Sequence, residues 1–303
     1  MQISKLGVWA NTDALTAGQA AAFAARVERW GYSVLWIPEG LGRNSLVHAA
    51  WLLANTERLI IATGIANLYA RDAVAMRAAQ LALAEQSNGR FLLGIGVSHA
   101  SLVHDLRGHD YDPRPVERMR SYLEQMAAAH CRIPPPPESP PTVIAALGPK
   151  MLQLAGQMTQ GAHPYNVTPE HTAQARQLLG PGKWLCPEQK VLLEPDPAKA
   201  RAAARAALGF YLAAPNYLNN LRRLGFGDPD FAGGGSDRLV DALVAWGDIG
   251  AVRARIQAHW DAGADHVCVQ TLTTDPSQGL VAHEQLLAQL APVSAPPAPA
   301  VRA

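Results

Sequence analysis

Gly64 interrupts an apolar run, Leu59-Ile60-Ile61-Ala62-Thr63, and is followed at short intervals by Asn67, Tyr69 and Arg71. A second run, Phe91-Leu92-Leu93-Gly94-Ile95-Gly96, leads in the same way to Ser98 and His99. A glycine near the exit of a strand has no Cβ to hold a ligand off, so a flat molecule can lie against backbone there. Two such strands point to a planar cofactor. His99 titrates near neutrality and suits proton transfer beside a redox step; the competing reading is a hydrogen-bonded structural histidine. Gly148-Pro149-Lys150 stands where a strand passes into a helix. Proline fits a first helical turn, whose free N–H groups and dipole attract phosphate, and Lys150 adds charge. An ordinary strand-to-helix connection would read the same way.

Glu39 follows the apolar run Val34 to Ile37 and sits at a strand exit, where a carboxylate can be catalytic or can simply cap or pair. Trp9, Tyr69 and His163 also stand at strand exits and are candidate walls of a substrate pocket. Against that, His163 can be a satisfied core histidine, and Trp9, like Trp36, Trp51 and Trp246, can be core. Glu188-Gln189 shares the ambiguity. His99, His104 and His109 recur every five residues, which shares no helix face, so no metal site is read there. Asp110 and Asp112 read as turn residues. Acyl transfer lacks a G-x-S-x-G elbow.

These residues need a scaffold that brings strand exits together. Lys5 to Trp9 reads as a strand, followed by a helix capped by Thr16 with Phe23, Val27 and Trp30 on one face. Val34-Leu35-Trp36-Ile37 is continuously apolar, the mark of a parallel strand covered by helices on the outside. A helix around Val74, Ala78 and Leu81 precedes the Phe91 strand, and one with Val116, Met119, Leu123 and Met126 follows it. Pro134 to Pro137 forms a stiff linker. Strands at Thr142 to Ala146, Ala162 to Tyr165, Lys190 to Leu193 and His266 to Thr271 alternate with helices from Pro149 and Pro169. Eight alternations favour a closed (β/α)8 TIM barrel over an open sheet, which would show G-x-G-x-x-G after its first strand. Residues 1–290 form one domain, with a mostly helical insertion at about 195–264 whose glycines suit a hinge, a lid or a plain surface loop. The Pro- and Ala-rich tail 291–303 is expected to fray.

The 303 residues carry a formal net charge of +1, which gives no field for nucleic acid or an anionic membrane. Apolar runs fall short of the roughly 20 residues of a membrane helix, and no signal region opens the chain. Cys131, Cys186 and Cys268 are too few and too far apart for a disulfide framework or a zinc site. A cytoplasmic protein is expected.

The chain resembles the bacterial-luciferase-like oxidoreductases, in particular those that use the deazaflavin coenzyme F420. The resemblance runs from about Leu6 to Leu272. It rests on Tyr32 to Glu39, Ala62-Thr63-Gly64-Ile65, Asn88 to Val97, Ala145 to Lys150 and Ala264-Asp265-His266-Val267. It implies a TIM barrel with F420 at its C-terminal mouth, usually in a homodimer. It implies a non-prolyl cis peptide at Gly64–Ile65 that props the deazaflavin ring, with Asn67, Gly96 and Ser98 beside it and the phosphate at Gly148, Pro149 and Lys150. Arg71 would meet the acidic tail or cap the next helix, and Glu39 would touch the ring edge. The family often follows that acid with a catalytic histidine; here Gly40 stands instead, a departure that argues against the sugar-phosphate dehydrogenase activity.

The expected activity is hydride transfer between deazaflavin C5 and a small organic substrate, with His99 and Glu39 as catalytic groups. The alternatives are an FMN-dependent monooxygenase on the same barrel, or a barrel that binds a flavin-like ligand without catalysis, for which Gly40 is the best argument. A cofactor-free lyase or hydrolase is more remote.

Overall fold

The structure, a computed structural model, describes residues 1–275, 277 and 279–292. The strands are β1 (Leu6–Trp9), β2 (Val34–Ile37), β3 (Ile60–Thr63), β4 (Ala66–Asn67), β5 (Phe91–Gly96), β6 (Thr142–Ile144), β7 (Gly161–Ala162), β8 (Trp184–Leu185), β9 (Glu188–Leu193), β10 (Val244–Gly247) and β11 (Val267–Thr271). Every pairing is parallel. The path runs β10-β9-β11-β1-β2-β3-β5-β6-β7-β8, with β4 beside β5. Its two ends meet through the chain itself, because only Cys186 and Pro187 separate β8 from β9. The Cys186 and Glu188 N–H groups donate to the Ala162 and Pro164 carbonyls at 2.9 Å. β8 and β9 thus act as one bent strand between β7 and β11. With β4 continuing β3, the ring is a closed eight-stranded barrel, and β10 is an extra strand laid against β9.

The period of two along each strand divides the core. Trp9, Val34, Trp36, Ile60, Ala62, Leu92, Val143, Cys186 and Cys268 fill the barrel. The intervening Val8, Leu35, Ile37, Ile61, Phe91, Leu93, Ile144, Val267 and Val269 face the helices. Those helices are α1 (Ala17–Arg29), α2 (Ser45–Ala54), α3 (Ala73–Gln86), α4 (Pro115–Ala128), α5 (Pro149–Met158), α6 (Pro169–Leu179), α7 (Pro197–Leu208), α8 (Pro215–Arg223), α9 (Asp228–Phe231), α10 (Asp237–Leu243), α11 (Ile249–Asp261) and α12 (Leu280–Leu290). Thr16 and Gln19 cap α1 reciprocally.

Three expectations change. The helix over Val74 forms as α3, but Val74 is 53% exposed; the buried face is Ala73, Met76, Gln80, Leu83 and Ala84. Trp51 is likewise no core residue, at 44% exposed. The stretch 195–264 is mostly helical, yet β10 breaks it and α11 contacts β9 and α6 as a barrel helix does. Helices α7, α8 and α10 pack with Leu192, Phe226 and Val244 around a second apolar core that includes Ala200, Ala204, Leu208, Leu221, Leu239 and Val240. Residues 293–303 of the expected tail lie outside the described residues.

Candidate active site at the barrel mouth

Parallel strands all point their C-termini at one end, so the residues that follow them share one mouth. At β3 the chain leaves through Gly64–Ile65, whose peptide bond is cis, as the resemblance implies. The Gly64 carbonyl accepts a buried hydrogen bond from Trp9 Nε1 at 2.9 Å.

The glycines differ from their sequence reading. A Cβ at Gly64 would lie 2.9 Å from Trp9 Nε1 and 3.1 Å from His163 Nε2; at Gly94 it would meet the Thr63 carbonyl at 2.0 Å, and at Gly96 the Ile65 side chain at 2.6 Å. The space their missing side chains leave is taken by protein. Gly40 is the opposite case, because a Cβ there meets nothing within 4 Å.

Glu39 is fully engaged. Its carboxylate takes both Arg71 guanidinium nitrogens, the Asn67 N–H at 2.8 Å and the Ser45 N–H at 3.3 Å. The side chains of Glu39 and Arg71 are only 3% and 11% exposed. Asn67 is buried, and its Oδ1 accepts from the Tyr69 N–H at 2.9 Å. Four donors on one carboxylate make a clamp on the turn after β4. The Tyr69 ring stacks on Tyr111, and its hydroxyl accepts from the Asp112 N–H at 3.0 Å. It lines a groove of about 680 Å³ with Arg71, His109, Tyr111, Arg114 and Arg118.

His163 is buried under the mouth and stacks on Trp36 at 4.4 Å. Its Nδ1 donates to the Cys186 carbonyl at 2.7 Å, which leaves Nε2 a lone pair; that atom is buried with no partner among the described residues. Desolvation pushes the imidazole down to about 4, so the ring is neutral. His99 is half-buried against Phe210 and Tyr217, at 5.6 and 5.7 Å. Burial lowers its pKa, while a hydrogen bond with the Asn216 side chain acts the other way. Ser98 holds a left-handed backbone, φ 59°, which costs a non-glycine residue about 1–2 kcal/mol. At the β6 exit, Gly148 is the N-cap of α5 without a side-chain cap, Pro149 brings no N–H, and Lys150 is exposed.

The sequence reading left Glu188 open between pocket and core and gave no site role to Lys190, its partner. Both are 1% exposed and form an ion pair at 3.3 Å. Lys190 Nζ also donates to Asn166 Oδ1 at 2.6 Å and lies 4.0 Å over the Tyr165 ring. Tyr165 donates to Gln270 Oε1 at 2.7 Å and meets the Tyr211 hydroxyl at 3.1 Å. Burial raises the pKa of Glu188 and lowers that of Lys190, and each opposes the other's shift by attraction. The available signal was the spacing: opposite charges two apart in a buried strand share its inner face. Phe210, Tyr211 and Tyr217 come from the insertion, so a lid-like segment lays aromatic rings over the mouth. Among the described residues no group of three or more His, Cys, Asp or Glu side chains is arranged to hold a metal. No described helix is long and apolar enough to cross a membrane.

The sequence model of the luciferase-like monooxygenases matches residues 3–266. The chain belongs to that family. This luciferase-like chain is 25% identical to the Mycobacterium tuberculosis protein named "Putative coenzyme F420-dependent oxidoreductase Rv3520c", over 83% of this chain and 90% of that one. In fold it is similar to an F420-dependent secondary alcohol dehydrogenase solved with an F420-acetone adduct, at 14% identity and a TM-score of 0.76, covering 95% of this chain and 99% of the other. It is also similar to the FMN-bound oxygenating constituent of 3,6-diketocamphane monooxygenase from Pseudomonas putida, at 14% identity and a TM-score of 0.68, covering 98% and 99%. The last two likenesses show the fold alone.

Proposed function

We propose that this luciferase-like barrel is an F420-dependent oxidoreductase that exchanges a hydride between deazaflavin C5 and a small organic substrate at its mouth. The observation that carries the reading is the span of α8. One end of that helix, through Asn216 and Tyr217, meets the desolvated His99; the other, through Arg223, meets the uncapped α5 turn at Gly148. That bridge supports reading His99 as a proton-exchanging group and the α5 turn as a phosphate-type terminus of one site. The F420 named for the mycobacterial relative and for the structural neighbour supports the same cofactor.

The residues fit such a group. An uncapped helix start offers N–H groups to phosphate, and His163 Nε2 is an orphaned buried acceptor directly behind Gly64. Gly148, Pro149 and Lys150 would hold the phosphate, with Gly64, Ile65, Asn67, Gly96 and Ser98 along the ring. When bound, F420 supplies two-electron hydride chemistry at C5. The protein supplies position, dryness and a proton path. Trp9 pins the Gly64 carbonyl; Glu39 fixes the β4 turn through Arg71 and Asn67. His99, kept neutral to lower pH by burial, takes or returns a proton at an imidazole nitrogen as the substrate is oxidised or reduced. Phe210, Tyr211 and Tyr217 keep water from the mouth. The exposed Val47 and Trp51 of α2 and Val74 of α3 suit a homodimer.

Adding F420 and FMN separately and following their spectra tests this. F420 binding near 1:1 with weak FMN binding supports it. FMN retained through purification would favour the oxygen-activating monooxygenase, and F420 binding without turnover of any donor or acceptor a barrel that only binds.

A further inference from the structure

Alternate side chains of a barrel strand point inward, and the last inward residue of each strand helps to floor the mouth. Cys268 of β11 faces the barrel interior, so Gln270, two residues on, does the same at the strand's C-terminal end. Tyr165, two residues beyond the inward His163, packs on the same interior core. The two side chains meet, and the Tyr165 hydroxyl donates to Gln270 Oε1 at 2.7 Å. That bond turns the amide oxygen to the tyrosine and leaves Nε2 without an acceptor among the described residues. Unlike the unpartnered nitrogens of His163 and Asn166, Nε2 is not buried, and Gln270 keeps part of its surface open to solvent. An inward residue above a packed core meets solvent only through the mouth, so this free donor faces the entrance. Trp9 ties the pair to the Gly64 turn: its ring lies 5.4 Å from Tyr165, and its Nε1 holds the Gly64 carbonyl.

We infer that Gln270 Nε2 holds the oxygen of a neutral carbonyl substrate, or of the alcohol it becomes, and that Tyr165 is the positioning residue that aims it. The hydride chemistry rests on the F420 reading above; the donor rests on the protein's own geometry. An amide N–H offers a hydrogen bond without charge. Among the described residues the cation in contact with this pair is Lys190, 4.0 Å over the Tyr165 ring, and Glu188 already matches its charge. A carboxylate or phosphate would give up its hydration here and gain no unpaired cation, whereas a carbonyl gives up little and gains a donor. The Trp9 ring and the Tyr211 ring, 5.3 Å from Tyr165, offer apolar surface to the substrate's carbon frame. In reduction the hydride adds to the carbonyl carbon, the π pair moves onto oxygen, and a proton reaches that oxygen by way of His99. A fixed N–H on the oxygen stabilises the charge as it develops. Oxidation of the alcohol runs the same steps backwards.

The test uses the cofactor-free protein, so it does not depend on turnover. Butanone, cyclohexanone and acetophenone are titrated by tryptophan fluorescence, and infrared difference spectra follow the bound C=O stretch. Cyclohexanecarboxylate is the anionic comparison and methylenecyclohexane the comparison without oxygen. Wild type, Gln270→Leu, Gln270→Glu and Tyr165→Phe are matched for thermal unfolding. At least one ketone is expected to bind wild type more tightly than the carboxylate does. Gln270→Leu should weaken that ketone about fivefold and move its C=O band to higher frequency, with methylenecyclohexane unchanged. Gln270→Glu keeps an oxygen for the Tyr165 hydroxyl but removes the donor, and should show the same loss. Tyr165→Phe should cost less and broaden the band, because the amide is then free to turn. Binding of no ketone by wild type, tighter binding of the carboxylate, a ketone affinity and band unchanged in Gln270→Leu, or equal weakening of ketone and methylenecyclohexane overturns the assignment. F420 is titrated separately: no F420 binding with the ketone results intact sinks the cofactor reading and leaves the donor, and F420 binding without the ketone effects does the reverse.

Discussion

Two residues separate what the sequence can say about chemistry from what it cannot. The position of Glu39 at a strand exit is legible, because an apolar strand followed by Pro38-Glu39 can end only at the barrel's mouth. Its partner is not legible: Arg71 is 32 residues away, and nothing in spacing distinguishes a free carboxylate from one held by four donors. Removing one member of a buried pair leaves the other charge unmet, which costs about 3–5 kcal/mol. Glu39→Gln is expected to lose about 3 kcal/mol in urea unfolding, with part regained when Arg71→Met is added. A loss that the second substitution does not reduce would show that the clamp is not what Glu39 contributes. Lys190 repeats the lesson. Its strand is readable, but the Glu188, Asn166 and Tyr165 that surround it meet only in three dimensions.

At the scale of elements, the continuously apolar run of β2 correctly marked a parallel strand buried on both faces, and the barrel followed from the alternation of strands and helices. Gly94 shows where pattern reading stops. An inner-face glycine looks the same in sequence whether a ligand or the protein occupies the space beside it. Here the Thr63 carbonyl would stand 2.0 Å from an added Cβ, and backbone cannot swing aside as a side chain can. Gly94→Ala is therefore expected to cost about 2 kcal/mol by overpacking, read as a lower urea midpoint with unchanged slope; unchanged stability would mean the strand shifts freely. Strand β10 was hidden for another reason. Four residues inside a long helical stretch carry too short a period to stand out, and their pairing with β9 is purely tertiary. On α3 the alanine-rich sequence Ala73-Val74-Ala75-Met76 offers little contrast between faces, so the apparent stripe through Val74 pointed outward.

The whole molecule buries neutral histidines. Desolvation pushes His163 and His266 down to about 4 and His259 to about 3, below the ordinary 6.5 of the unfolded chain. A depressed histidine favours the fold fully above about pH 6.5. As pH falls from there towards 4, the unfolded chain takes up protons that the folded one refuses, and stability is lost. The loss is on the order of 2 kcal/mol per histidine by pH 5, so urea midpoints should drop steeply between pH 7 and 5; a flat profile would contradict this burial. Function at this scale depends on a mouth assembled from the exits of eight barrel strands and on an insertion that sequence shows only as helical. The proposed function requires F420 to lie across that mouth. A crystal structure of the protein saturated with F420 is the sharpest test. The deazaflavin ring is expected against Gly64 and Ile65, with the phosphate at the Gly148 turn. Density in the Tyr69 and Tyr111 groove instead, or an unoccupied mouth at saturating F420, would contradict it.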